Sequence, residues 1–282
     1  MPRPKSTEVR WTDGYDTHLH MDTDELLHLA DCNLSEFCRE QARCLPPYRI
    51  EEREHALLIA SGTRFPTPPA NCVLPSGVGD ATRLLDDARE YFGKLDRGFG
   101  VYAPAHLGPE LARACEANQW QKLSDAPGMV LGERLQPSAA GDGVELRFIR
   151  SDVEADHFVA IAAQAYESIG LPADVSRKLF SQRECWRTRP YLKGQLDYEH
   201  ERPVAAALLL LSHGIAGIYW VGTLPDARGR GHATLLMREL SNHAFDCGAR
   251  CVVLQATPFG EPVYRKLGYR EFTRYPWYLT GK

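Results

Sequence analysis

The sequence lacks any long hydrophobic run, and this absence excludes a membrane-spanning helix. Its longest apolar stretch, Val204 to Leu211, is far shorter than the roughly 20 residues that a span requires. The opening residues, Met-Pro-Arg-Pro-Lys, contain no apolar core of a secretory signal. A strong charge imbalance is also missing, since the net charge is −4 and the pI is near 6.2. We therefore expect a cytoplasmic protein with neither a nucleic acid nor a membrane as its partner.

Paired cysteine motifs are missing as well. The chain has eight cysteines but no C-x-x-C pair, a pattern typical of reduced thiols rather than of a zinc or redox site. His18 and His20 resemble the His-x-His strand end of metal-dependent amidohydrolases. That chemistry needs further ligands spread around a barrel of eight strand–helix units, which this sequence does not contain. We expect no metal site.

The length and composition fit one large or two small globular domains. Of the 282 residues, 44% are hydrophobic and 25% are charged, which is ordinary for a protein with a packed core. Residues 136–143, Gln-Pro-Ser-Ala-Ala-Gly-Asp-Gly, are small, polar and flexible. This segment predicts a linker between a domain at 23–135 and a second domain at 144–282.

One stretch in the second domain has the composition of a phosphate-binding turn. The β-prone segment Ile215 to Thr223 is followed by the turn Leu224 to Ala227 and by a helix from about His232. Backbone N–H groups at a helix start lack partners within the helix, and the helix dipole favours an anion there. Gly229 and Gly231 permit close approach of a ligand to this backbone. The pattern indicates a site for a phosphate-bearing ligand.

Two motifs in this half resemble those of a known family. Arg228-x-x-Gly231-x-Ala233 matches the Arg/Gln-x-x-Gly-x-Gly/Ala signature of the GCN5-related N-acetyltransferases, the GNAT family. Downstream, 251–269 resembles the fifth strand, the last helix and the Tyr-x-x-Leu-Gly-Phe/Tyr turn of that family, with Tyr264 as its tyrosine. The resemblance implies an α/β GNAT fold, in which helices flank a mixed and mostly antiparallel sheet.

The resemblance also implies that acetyl-CoA is the cosubstrate. In this family the fourth strand splays from the fifth at a bulge, and pantetheine lies between them while the backbone of the turn binds the pyrophosphate. Val221 N–H is then the expected donor to the thioester carbonyl. The cofactor-binding residues that the resemblance implies are Val221, Gly222, Thr223, Arg228, Gly229, Arg230, Gly231, His232, Ala233, Thr234 and Tyr264.

Candidate catalytic groups follow from the same resemblance. Tyr264 aligns with the tyrosine that protonates the departing CoA sulfur, and its alternative role is that of a core tyrosine. A glutamate present on the fourth strand of some members is missing here. We expect Glu167 to act as the general base, with Asp197 and Glu199 as alternatives. Each of the three carboxylates could instead be a solvated surface charge, with water chains carrying the proton.

The first domain repeats the predicted element order of the second. A helix is predicted over 23–44, with a break at Asn33 or Ser35, followed by two strands, a helix, a strand, a helix and closing strands. The counterpart of the phosphate turn, Ser76 to Asp80, lacks both arginines and places a carboxylate at the helix start. The pattern predicts a diverged GNAT-like domain without a working cofactor site. An unrelated small α/β domain is the alternative.

The function that the resemblance implies is acetyl transfer from acetyl-CoA to the amine of a small molecule. Two other functions stay open at this point. One is a non-catalytic module that binds acyl-CoA, and the other is an acyltransferase for a longer chain or a non-amine acceptor. Homodimerisation also stays open.

Overall fold

The structure, a computed structural model, describes residues 21–66 and 68–280. His18 and His20 lie outside these ranges. Within the described ranges, no group of three or more His, Cys, Asp or Glu side chains is placed to hold a metal ion. No helix in this part of the chain is long and apolar enough to cross a membrane.

The described part of the N-terminal half forms three α-helices and five strands, besides a short 3-10 helix at Ala105–Leu107. In chain order they are α1 (Thr23–Arg43), β1 (Arg49–Glu52), β2 (Ala56–Ala60), β3 (Asn71–Pro75), α2 (Ala81–Lys94), β4 (Gly100–Tyr102), α3 (Glu110–Ala117) and β5 (Gln121–Leu131). Strand β1 is an element that the sequence pattern did not predict. Its sequence, Arg-Ile-Glu-Glu, has one apolar residue and therefore no alternating apolar pattern. Such a polar sequence is suited to β1, which lies at the edge of the sheet.

The C-terminal half repeats this order with additional elements at its start. They are β6 (Val144–Phe148), α4 (Asp152–Glu167), α5 (Ala173–Leu179), α6 (Arg183–Arg187), β7 (Leu192–Glu199), β8 (Arg202–Ser212), β9 (Ile215–Thr223), α7 (His232–Asp246), β10 (Val252–Gln255), α8 (Glu261–Lys266) and β11 (Arg270–Leu279). Each half contains one parallel strand pair, β3–β4 and β9–β10, and all the other pairs are antiparallel. The mixed, mostly antiparallel sheet is confirmed.

The two halves share one sheet because they exchange their last strands. The strand order is β1-β2-β3-β4-β11-β5-β10-β9-β8-β7-β6 in an 11-stranded sheet. Strand β11 of the C-terminal half thus pairs with β4, and β5 of the N-terminal half pairs with β10. Residues 136–143 are exposed and lie outside the helices and strands, as a linker would. The division into domains at this segment stays a prediction, since the sheet is continuous.

Helix α1 is continuous through the predicted break. Asn33 is fully buried, and its side chain is satisfied by partners outside the helix. Its Nδ2 donates to Ser212 Oγ at 2.8 Å, and its Oδ1 accepts from the Tyr219 hydroxyl at 2.7 Å. Because these long-range bonds occupy the amide, it does not compete with the helix backbone. Helix α1 therefore binds the N-terminal half onto β8 and β9.

Candidate cofactor-binding and active site

Strand β9 carries a bulge at the position where the family resemblance implies one. Ala206 faces Gly222 and Leu208 faces Tyr219, so both Trp220 and Val221 lie opposite Ala207. Trp220 adopts a positive φ of 54°, which bends the strand at this point. The bulge takes Val221 out of the regular ladder with β8.

Beyond the bulge, β9 is free of its other neighbour. Its parallel pairing with β10 consists of Val252 with Ala216 and Val253 with Gly217, at the start of β9. The remainder of β9, through Thr223, runs past this ladder and leaves a gap between the two strands. The expected splay of β9 from β10 is present.

Gly222 allows helix α4 to approach the strand just after the bulge. A Cβ atom added at this glycine would lie 2.8 Å from the Cβ of Ala165. A glycine within a strand is typical of such a close approach. The approach brings the end of α4 to the same edge as the bulge.

The turn after β9 leaves the start of α7 open. Gly229 and Gly231 have φ values of 77° and 92°, and neither would place an added Cβ within 4 Å of another atom. The glycines are thus needed for their backbone conformation rather than for space. Gly231 is the N-cap of α7 and offers no side-chain acceptor to the first amides of the helix. Those N–H groups are available to an anion.

The two arginines of the turn bind protein groups. Arg228 Nη2 donates to Ser168 Oγ at 2.8 Å, just beyond α4, and its Nε donates to the Thr223 carbonyl at 3.3 Å. Arg230 forms an ion pair with Glu199 at 2.8 Å. The sequence interpretation named both arginines among the cofactor-binding residues. In the structure their charge remains beside the turn, while these hydrogen bonds fix the turn to α4 and to β7.

Ten of the eleven predicted cofactor-binding residues line one cavity of about 470 Å³. They are Val221, Gly222, Thr223, Arg228, Gly229, Gly231, His232, Ala233, Thr234 and Tyr264. Arg230 is the exception, since its side chain turns towards Glu199. The cavity runs from the glycine turn, past the bulge of β9, to α8.

Part of the cavity wall was missed in the sequence. Ser168 and Ile169 follow α4, and Phe259 precedes α8. Phe259 and Ile169 are 68% and 42% exposed, and apolar side chains left open beside a cavity are typical of ligand contacts. An exposed apolar residue has no periodic signal, because it lies in a loop, so sequence patterns did not single these residues out.

Tyr264 lies in the wall of the same cavity. It is buried, lines the cavity, and packs its ring against Gly260, where an added Cβ would lie 2.7 Å from the ring. Burial raises the pKa of the Tyr264 phenol above its usual range. The phenol therefore keeps its proton at neutral pH.

The carboxylates proposed as bases lie in three different environments. Glu167 is exposed at the last position of α4 and is not among the residues that line the cavity. Asp197 is fully buried, so its interpretation as a solvated surface charge is wrong. Glu199 is partly exposed and is paired with Arg230. The role of Glu167 as a base stays a prediction, without support from its position.

The counterpart turn in the N-terminal half is closed. The Asp80 carboxylate accepts hydrogen bonds from the N–H groups of Thr82 and Arg83 at 2.9 and 3.1 Å. The cavity beside this turn measures about 70 Å³. The carboxylate that the sequence places at this helix start therefore caps the helix, and a carboxylate at that position repels a phosphate.

Comparison with known proteins accords with this geometry. The model of the acetyltransferase (GNAT) family matches residues 158–269. This segment of the chain is a GNAT domain. None of the curated proteins matches the sequence.

Solved structures show that the GNAT fold extends over both halves. A GCN5-related N-acetyltransferase from Kribbella flavida is 19% identical, with a TM-score of 0.67 over 88% of this chain and 96% of its own. One from Sphaerobacter thermophilus is 17% identical, with a TM-score of 0.62 over 90% of each chain. A tandem GNAT protein from the clavulanic acid biosynthesis pathway is 14% identical, with a TM-score of 0.55 over 93% of this chain and 96% of its own. The chain therefore has a tandem GNAT fold, and the match of residues 158–269 to the acetyltransferase family supports acetyl transfer as a general activity.

Proposed function

We propose that the C-terminal half binds acetyl-CoA and transfers its acetyl group to the amine of a small molecule. The observation that carries the proposal is the single cavity that joins the bulge of β9, the open start of α7 and Tyr264. These three features supply the contacts that a pyrophosphate, an extended thioester arm and a leaving thiolate each require. The closed turn at Asp80 leaves one such site among the described residues.

The residues of the cavity fit the cosubstrate. The uncapped amides from Gly231 to Thr234 would hold the pyrophosphate, since a helix start favours negative charge. Val221 to Thr223 of β9 line the gap towards β10 and would pair with the amides of the pantetheine arm. The bound cosubstrate supplies an activated acetyl thioester.

The catalytic roles divide between strand and helix. Val221, displaced by the bulge, presents its N–H as the donor that stabilises the developing oxyanion on the thioester carbonyl. Tyr264 holds a proton at its hydroxyl for the departing sulfur. The acceptor attacks as a neutral amine, and water removes its proton when no carboxylate is placed to do so.

A non-catalytic acyl-CoA-binding module is the second candidate. The observation that favours it is the absence of acidic side chains among the described residues that line the cavity. Such a module would bind the thioester and leave it intact.

Release of free thiol from acetyl-CoA, measured across a panel of small amines and beside a binding titration, separates the two functions. Amine-dependent release by the wild type, together with its loss in Tyr264→Phe, supports the enzyme. Tight binding without release for every amine favours the binding module. No binding at millimolar acetyl-CoA contradicts both.

A further inference from the structure

A buried pair lies directly beneath the glycine turn. His232 is the first residue of α7 and is 4% exposed, and its Nδ1 lies 2.9 Å from Asp197 Oδ2 on β7. Because a carboxylate oxygen only accepts, this contact places a proton on Nδ1 and fixes the tautomer and the ring orientation. The backbone of His232 follows Gly231 immediately. The orientation of the ring is thus linked to the position of the first amides of α7.

The Asp197–His232 pair carries a desolvation cost, because it buries two polar side chains between α7 and β7. Asp197 is fully buried, and its Oδ1 has no hydrogen-bond partner among the described residues. Nε2 of His232 also lacks a hydrogen bond there, and it lies 3.6 Å from Glu199 Oε1. Burial raises the pKa of the Asp197 carboxyl, against the opposing effect of His232, so the ionised form destabilises the fold at neutral pH. An apolar pair of similar volume would pack there without this cost. Stability alone does not account for the pair.

The pair belongs to a set of anchors on alternate residues of the turn. Arg228 is bound to Ser168 beyond α4, Arg230 is bound to Glu199 on β7, and His232 is bound to Asp197 on β7. The intervening residues are Gly229 and Gly231, and both line the cavity. Of the three anchors, only the one to Asp197 lies in the interior, where no solvent competes for it.

We propose that Asp197 is a positioning residue for the pyrophosphate turn. Asp197 orients His232 and thereby holds the uncapped amides at the start of α7 in the position that pyrophosphate binding requires. The inference rests on the proposed function of the cavity. It concerns the phosphate end of the ligand and not the thioester end. Loss of the anchor should therefore weaken binding only of ligands that carry the pyrophosphate.

The test compares two ligands with the full chain. Acetyl-CoA and acetyl-pantetheine share the thioester arm, but acetyl-pantetheine lacks the pyrophosphate and the phosphorylated adenosine attached to it. We expect Asp197→Ala to weaken acetyl-CoA binding by about tenfold or more, since a hydrogen bond to a charged group is removed. Its affinity for millimolar acetyl-pantetheine should change by less than about twofold. Asp197→Asn retains an oxygen that can accept from Nδ1, so it should recover most of the acetyl-CoA affinity.

Glu201→Gln is the matched control, because Glu201 lies exposed on the hairpin between β7 and β8 and pairs with Arg147 away from the turn. It should bind both ligands as the wild type does. Equal losses for both ligands in Asp197→Ala and Asp197→Asn would show a merely structural role and overturn the inference. Unchanged acetyl-CoA binding in Asp197→Ala would overturn it as well. If the wild type binds acetyl-CoA no more tightly than acetyl-pantetheine, the inference fails. If the wild type binds neither ligand, the proposed function fails.

Discussion

The two glycine turns of this chain end equivalent strands and begin equivalent helices, yet their helix starts differ. At α7 the N-cap is Gly231, which has a left-handed backbone and no capping side chain. At α2 the N-cap is Asp80, whose carboxylate occupies the first amides. The cavities beside the two turns measure about 470 and 70 Å³. A single residue type at the helix start thus separates a turn that can bind an anion from one that stabilises its own helix.

The strands before the two turns also differ, because one is bulged and the other pairs regularly. Strand β9 is interrupted by the bulge at Trp220, while β3 pairs with β2 in unbroken register from Asn71 to Pro75. Regular pairing leaves no displaced amide for a ligand. The N-terminal half therefore keeps the GNAT topology for packing, and it supplies α1 and β5 to the half that carries the cavity.

The largest loss of acetyl-CoA affinity is expected when the aspartate N-cap of α2 is introduced at the N-cap of α7. Gly231→Asp places a carboxylate at the start of α7, and aspartate tolerates the left-handed backbone better than most residues. The carboxylate should accept hydrogen bonds from the first amides of α7 and repel the pyrophosphate. We expect the loss of charge-assisted hydrogen bonds to weaken acetyl-CoA binding by about 4 kcal/mol, which raises the Kd about 1000-fold. Titration with acetyl-CoA measures this. Affinity within about tenfold of the wild type would show that the helix start is not the binding element.

Removal of the Tyr264 hydroxyl should affect turnover rather than binding. We expect Tyr264→Phe to lower kcat by about 100-fold, with the Kd for acetyl-CoA within about threefold, because only the proton donor is removed. Since burial raises the pKa of Tyr264 above its ordinary value of about 10, the wild-type rate should not fall through ionisation of this phenol below pH 10. A full rate in the variant would assign Tyr264 to packing.

The reverse change in the closed turn should affect stability alone. Asp80→Ala removes the two side-chain hydrogen bonds that cap α2, and such a loss costs about 1 kcal/mol of unfolding free energy. Denaturant unfolding measures the loss, and the acetyl-CoA affinity of the same variant should equal that of the wild type. A change in that affinity would mean that the N-terminal turn takes part in binding.

The smallest effect is expected at Glu167. This residue is exposed at the end of α4 and outside the cavity lining, so Glu167→Gln should change kcat by less than about twofold. Steady-state rates with the best amine of the panel test this. A loss of more than about tenfold would restore Glu167 as the general base.

The sequence predicted those features that are encoded locally. The β9–turn–α7 segment and Tyr264 carry their signals within a few residues, and ten of the eleven predicted residues meet in one cavity. The carboxylate at the N-terminal turn could likewise be predicted from the local sequence, because Asp80 directly precedes the helix that it caps. Apart from the edge strand β1, the element order of the two halves followed from the same local patterns.

Long-range arrangements could not be predicted in the same way. Nothing in β5 or β11 indicates that the halves exchange these strands, since antiparallel pairing does not depend on which half supplies the partner. In β7 the alternation of Gln195, Leu196, Asp197 and Tyr198 indicates one polar and one apolar face. Asp197 is buried all the same, because α7 covers the face that the pattern assigns to solvent.

The most direct test of one open and one closed turn is the stoichiometry of acetyl-CoA binding to the intact chain. Calorimetric titration of the wild type should give one site per chain, and the same titration of Gly231→Asp should give none at comparable concentrations. Two sites per chain, or a site that survives in Gly231→Asp, would contradict the account.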